Sequence, residues 1–330
     1  MLKYSILDLA TVGEGISTKK TFENVRNLAQ HAEKWGYHRF WLAEHHNMKS
    51  IASSATSVLI GYLAEGTKTL RIGSGGIMLP NHSPLVVAEQ FGTLASLYPG
   101  RIDLGLGRAP GTDQVTAQAI RSDRMQSVYS FPEEIKQIRQ YLSTSNENAK
   151  VRVPFAEGVE LPFYILGSST DSAYLAAKQG LPYAFASHFA PTQLFEALNI
   201  YHNNFEPSAY LDEPYTIGCI NTVVADTYEE AEMLSTSSIK LFYGIITGNR
   251  DYLKPPSKMN DELRMIQQHP NFQQMRKYSF IGNKAEVQEH IEEFLDSTLV
   301  NEVMIASHIY DHDARLKSYQ LTAEVISELS

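Results

Sequence analysis

The sequence predicts an α/β fold, specifically a (β/α)8 TIM barrel with insertion segments at the carboxyl-terminal face of its strands. Short apolar β-like runs recur from one end of the chain to the other, and longer amphipathic stretches with helix start and stop signals separate them. Polar, glycine-rich or serine-rich clusters follow several of the runs, at the end where parallel barrels carry their chemistry.

Taken in order, the runs are Tyr4 to Asp8, Arg39 to Leu42, Leu70 to Ser74, Ile102 to Leu106, Phe163 to Leu166, Tyr183 to Ala186, Thr216 to Val224 and Glu302 to Ser307. After the first, Phe22, Val25, Ala29, Ala32 and Trp35 share one face of a helix that begins near Thr18 and stops at Gly36, a residue suited to the left-handed terminal position. Ser83-Pro84 reads as an N-cap with proline at the first helical position, and Tyr98-Pro99-Gly100 ends that helix. Two stretches break the rhythm. Residues 143–161 are polar and then proline-containing; residues 249–277 hold Lys254-Pro255-Pro256-Ser257 and a Met/Gln-rich helical segment. Both read as insertions, and the second, following the seventh strand, is expected to form an active-site lid. Eight strands, each followed by a helix, close most simply into a barrel, although an open doubly wound sheet gives the same one-dimensional pattern.

The chain has 330 residues, 43% hydrophobic and 20% charged, enough for one sizeable core in a single domain. A net charge of -9 without any Lys/Arg run argues against a nucleic-acid surface. The single cysteine, Cys219, excludes an internal disulfide and a cysteine-rich metal cage, and points to a reducing, cytoplasmic setting. The amino terminus has no signal-peptide pattern, and no apolar run reaches the roughly 20 residues of a membrane span.

Four segments carry chemistry. In Arg39-Phe40-Trp41-Leu42-Ala43-Glu44-His45-His46-Asn47 an apolar strand runs out into a polar cluster. Adjacent histidines on extended backbone point to opposite sides and are poorly placed to share a metal, so no metal is expected; one of them can move a proton near neutral pH, or both can merely cap the strand. In Arg71 to Pro80, Gly73-Ser74-Gly75-Gly76 admits close approach of a flat ring, as glycine also serves a plain turn. Gly105-Leu106-Gly107-Arg108-Ala109-Pro110-Gly111 fails as a dinucleotide fingerprint because Pro110 stands where glycine is required; Arg108, at a strand end, suits a phosphate or a surface ion pair. Ser168-Ser169-Thr170-Asp171-Ser172 clusters hydroxyls at a helix start, as a phosphate cradle or as ordinary caps.

In order and spacing, these segments resemble the bacterial-luciferase-like flavin monooxygenase superfamily, most closely its single-chain branch related to the luciferase α subunit. The resemblance covers nearly the whole chain. It implies a barrel that binds reduced FMN at the carboxyl ends of its strands, takes that FMN from a separate reductase, uses O2 on a small organic substrate such as an aldehyde or ketone, and forms a homodimer. It further implies that His45 is catalytic and assists proton movements at the cofactor. Gly75 and Gly76 would be joined by a cis peptide beneath the ring, Arg108, Ser169 and Ser172 would hold the phosphate, and Gly107 and Ser168 would lie beside the cofactor. Gly107 stands where the luciferase α subunit has cysteine and Ser168 where it has an acidic residue, so light emission is not implied. The same superfamily contains F420-dependent hydride-transferring oxidoreductases and non-catalytic flavin-binding relatives, which are the alternatives.

Overall fold

The computed structural model describes residues 2–329, with the side chains of all of these but residues 124–126. Its first half contains β1 (Lys3–Asp8), α1 (Thr18–Lys34), β2 (Arg39–Leu42), α2 (Thr56–Glu65), β3 (Arg71–Met78), α3 (Pro84–Leu97), β4 (Ile102–Gly107), α4 (Gln114–Ile120) and α5 (Arg124–Tyr141). The second half contains β5 (Phe163–Gly167), α6 (Thr170–Lys178), β6 (Tyr183–Phe185), α7 (Leu194–Asn203), β7 (Thr216–Val224), α8 (Tyr228–Thr247), α9 (Asp261–Gln268), α10 (Pro270–Met275), β8 (Ser279–Gly282), α11 (Lys284–Thr298), β9 (Glu302–Ala306) and α12 (His312–Glu328).

Strands β1 to β7 pair in sequence and in parallel, β9 bridges β7 to β1, and these eight close the barrel. All eight occupy the positions expected from the apolar runs. The short strand β8 was not foreseen. It pairs with Asn221–Val224 at the carboxyl half of β7, while β6 pairs only with Thr216–Gly218. Because β9 occupies the other edge of β7 through Asn221, β8 extends the sheet above β6, and its first residue starts at the barrel rim. The glycine run does not end the third strand: β3 continues through it to Met78, with a register shift between Ser74 and Ile77.

Local signals account for the helix boundaries. The Ser17 hydroxyl accepts the Lys20 N–H at the start of α1, and Gly36 beyond its end takes φ +79°. At α3, Pro84 occupies the first turn as expected, but the Ser83 side chain makes no cap bond. Helix α11 opens on a reciprocal capping box between Asn283 and Glu286.

The outer faces of the strands pack on the helices in one large core, whereas Leu7, Trp41, Tyr164, Cys219 and Met304 fill the barrel itself. Below them, toward the amino ends, lies an ionic layer. Arg39 and Glu302 are the first residues of their strands and Asp103 the second of its own, so all three project at one level. Arg39 donates to Glu302 at 2.9 and 3.1 Å, to Asp103 at 2.8 Å and to the Tyr164 hydroxyl at 2.6 Å. Burial alone would favour loss of the Arg39 proton, but the two carboxylates reverse that and hold the guanidinium charged.

The two insertions differ in place. Residues 143–161 lead into the amino end of β5, and Ala156 packs on Gly92 of α3, so this segment lies away from the carboxyl-terminal face at which it was expected. Residues 249–277 do reach that face. Leu253 exchanges backbone hydrogen bonds with Val12 and Glu14 in the loop after β1, and Lys254 pairs with Glu14 at 2.5 Å.

Candidate active site

Strand β2 emerges from the barrel at Ala43 and sends Glu44 and His46 into one cluster and His45 into another. Glu44, 1% exposed, is enclosed: it accepts from His46 at 2.8 Å, His82 at 2.9 Å, the Met78 N–H at 3.0 Å and Asn81 at 3.2 Å. Burial would raise its pKa, but the hydrogen bonds from the two histidines and the Met78 N–H prevail and bring it down to about 2. The resulting carboxylate ties the end of β2 to the end of β3.

His45 turns the other way from His46, as alternation along an extended chain requires. Its Nδ1 lies 3.0 Å from the Gly111 carbonyl, which can only accept, so Nδ1 carries a proton. In the neutral ring Nε2 is then the acceptor. Burial lowers the His45 pKa against the opposing pull of the Gly111 carbonyl and Glu44, which favours that neutral form. The loop after β4 is fixed to this segment by Gly111 at φ +64°, whose carbonyl also accepts the His46 N–H, and by the Thr112 hydroxyl bonded to the His46 carbonyl.

On the next strand, the Gly75–Gly76 peptide is cis, as the resemblance implied. A Cβ on Gly75 would stand 2.7 Å from Leu7 and 3.0 Å from Trp41, and one on Gly76 would stand 2.7 Å from the Gly105 carbonyl. The barrel interior therefore excludes side chains here, leaving a bare backbone ledge beside the β2 rim. On β4, a Cβ on Gly107 would meet closely only the flexible end of Met78, at 2.9 Å, a side chain that reaches across from β3.

Beyond β4, exposed Arg108 places Nη2 3.0 Å from the carboxylate of Asp171 in the first turn of α6. Ser169 is the N-cap residue of that helix but makes no side-chain cap bond, which leaves the first N–H groups of α6 for another acceptor. The Ser172 hydroxyl donates to the Ser169 carbonyl at 2.7 Å and lies 3.0 Å from the buried Tyr183 hydroxyl; Ser168 is exposed. A guanidinium, an uncapped helix start and neighbouring hydroxyls form a donor set that fits a phosphate dianion. Asp171 is the charge such a group would compete with. His45, Gly75-Gly76, Gly107-Arg108 and Ser168 to Ser172 thus occupy the ends of four neighbouring strands, β2 to β5.

Across the mouth stand side chains that the sequence reading passed over. His188 follows β6 and His308 follows β9; burial, first of all, lowers each pKa to about 3, and His188 is close enough to both His308 and His45 to feel their charge. A histidine just past each strand end was the only signal in the sequence. Among the described residues, no group of three or more His, Cys, Asp or Glu side chains could hold a metal ion. None of the described helices is long and apolar enough to cross a membrane.

Comparison with known proteins agrees with this architecture. The pattern of the luciferase-like monooxygenase family matches residues 2–304. A luciferase-like monooxygenase of Escherichia coli (strain K12) is 49% identical over 328 residues, covering 99% of this chain and 98% of that protein. The N-acetyl-S-alkylcysteine monooxygenase of Bacillus subtilis (strain 168) is 32% identical, with 99% and 98% covered. The crystal structure of apo-MsnO8 superposes with a TM-score of 0.90 at 32% identity, covering 99% of each chain. With its barrel closed and its family pattern matched almost end to end, this chain belongs to the luciferase-like monooxygenase family.

Proposed function

We propose that this chain is the oxygenase of a two-component system, which receives reduced FMN from a separate reductase and uses O2 to oxidise a small organic substrate. The observation that carries this reading is the continuous arc from His45 through the glycine ledge and Arg108 to the uncapped start of α6. Bound reduced FMN supplies the electrons and the oxygen-activating chemistry. The chain supplies the rest. Arg108, Ser169 and Ser172 hold the phosphate with the amino end of α6, Gly75 and Gly76 let the ring lie against backbone, and Gly107 and Ser168 border it. His45, fixed by Gly111 with Nε2 unprotonated, accepts or returns a proton at the ring edge.

The segment 249–277 acts as a lid, because its strap to the loop after β1 holds it at the carboxyl-terminal face, where it excludes water during turnover. We assign the working form as a cytoplasmic homodimer. Anaerobic titration with reduced FMN, and separately with reduced F420, tests the cofactor: quenching of intrinsic fluorescence that saturates with FMN and is lost in Arg108→Ala is expected. Saturation by F420 alone, without oxygen uptake, would replace this reading with hydride transfer. FMN binding without oxygen uptake across an aldehyde and ketone panel would leave a flavin carrier.

A further inference from the structure

Arg276 is a buried cation without a counter-ion. It precedes β8 at the barrel rim and is 9% exposed. Its Nη1 donates to the Ser238 hydroxyl of α8 at 2.8 Å and its Nε to the Ser279 hydroxyl at 3.1 Å. The guanidinium stands over the rings of Phe242, at 5.2 Å, and Phe272, at 5.7 Å. Among the described residues no carboxylate pairs with it, and its side-chain hydrogen bonds go to these two hydroxyls. The other two buried guanidiniums among the described residues are both matched, Arg39 by two carboxylates and Arg315 by Asp8. Removing an arginine from water without neutralising it costs far more than two hydroxyls and two ring faces return, so a folded protein retains such a group where something else brings the negative charge.

The surroundings share this incompleteness. Asn221 donates to the Ser279 hydroxyl at 3.2 Å and to the His188 carbonyl at 2.6 Å, yet its Oδ1 is buried without a partner, as is Nδ1 of His188. His308, 7% exposed, sets its ring edge-on to Phe242 at 5.5 Å. Arg276, Asn221, His188 and His308 therefore gather at the carboxyl half of β7, just past β6 and β9 and beside the start of β8. Arg108 and the start of α6 lie on the other side of the mouth, beside β4 and β5, so a phosphate held there leaves Arg276 unneutralised.

Resting on the oxygenase reading above, we propose that the substrate is a small organic acid whose carboxylate pairs with Arg276. Its carbon chain runs from Phe242 and Phe272 past His188 toward His45. A planar carboxylate matches the guanidinium fork in a way that a neutral aldehyde or ketone does not. The orphaned Asn221 and His188 atoms offer hydrogen bonds to polar groups farther along the molecule.

Thermal denaturation of the full chain with hexanoate or hexanamide as probes, in wild type, Arg276→Met and Arg276→Lys, tests this, with reduced-FMN titration of each variant as a separate readout. Hexanoate is expected to raise the wild-type midpoint in a saturable manner and hexanamide to leave it unchanged; Arg276→Met should respond to neither while binding FMN as wild type does. Arg276→Lys, which keeps the charge but not the fork, should bind hexanoate about tenfold more weakly and carries the test should the methionine variant not fold. Equal responses to acid and amide, no response to either, or an undiminished response in the variants would overturn the proposal. Failure of wild type to bind FMN would instead defeat the oxygenase reading and leave the hexanoate result standing on its own.

Discussion

His45 and Glu44 are adjacent in the chain and opposite in electrostatics. The Gly111 carbonyl fixes the His45 tautomer while burial depresses its pKa, so the ring stays neutral through the physiological range and below its ordinary 6.5. His45→Ala is expected to bind reduced FMN normally but to lose turnover by about 10²- to 10⁴-fold, the usual worth of a placed acid or base. The acidic limb of the wild-type pH profile should fall below that 6.5, and a limb above it would remove His45 from the proton step. Glu44, at about 2 in the folded chain against 4.5 for a free side chain, gives stability that is complete above its unfolded value and lost as pH falls toward the folded one. Urea denaturation should show a loss on the order of 3 kcal/mol from this carboxylate between about pH 5 and pH 2. Glu44→Gln should be less stable at neutral pH and flatter across that window; an unchanged slope would assign the acid sensitivity to other carboxylates. The place of His45 at the end of β2 was legible in the local motif. The role of Glu44 was not, because its partners Met78, Asn81 and His82 stand on another strand and its loop.

Among the elements, β3 and β4 approach so closely that Gly73, Gly76 and Gly105 face the backbone of the adjoining strand. A Cβ on Gly105 would fall 2.1 Å from the Ser74 carbonyl, a fixed atom of the adjoining strand, whereas one on Gly107 would displace only the tip of Met78. Gly105→Ala should therefore destabilise the chain by roughly 1–3 kcal/mol or more through overpacking, read as a lowered melting midpoint. Gly107→Ala should be nearly neutral. Comparable effects at both positions would contradict the packing argument. The helix from near Thr18 to Gly36 was readable because its apolar face and its terminal glycine are local features. The strand β8 was not readable, since Ser279-Phe280-Ile281-Gly282 is too short to show a period and becomes a strand only because the rim half of β7 offers an unpaired edge.

For the whole molecule, closure depends on bringing the first strand beside the last, and the ionic layer lies where that happens. Arg39 on β2, Asp103 on β4 and Glu302 on β9 meet across the interior although 64 and 263 residues separate the arginine from its partners. Arg39→Met would leave buried Glu302 without its cation and Asp103 with Arg71 alone, and a loss of about 3–5 kcal/mol is expected in urea denaturation. A loss below about 1 kcal/mol would mean that water reaches the layer and that the pair behaves like an exposed one.

The sequence by itself determined the eight barrel strands and their alternation with helices, the location of the His45 and Arg108 segments at strand ends, and the family, because period and motifs are properties of neighbouring residues. Tertiary structure alone decided what each charge answers to. Glu44 found His82, Arg39 two carboxylates, and Arg276 no acid at all, since such matches form between residues that only the tertiary fold brings into contact.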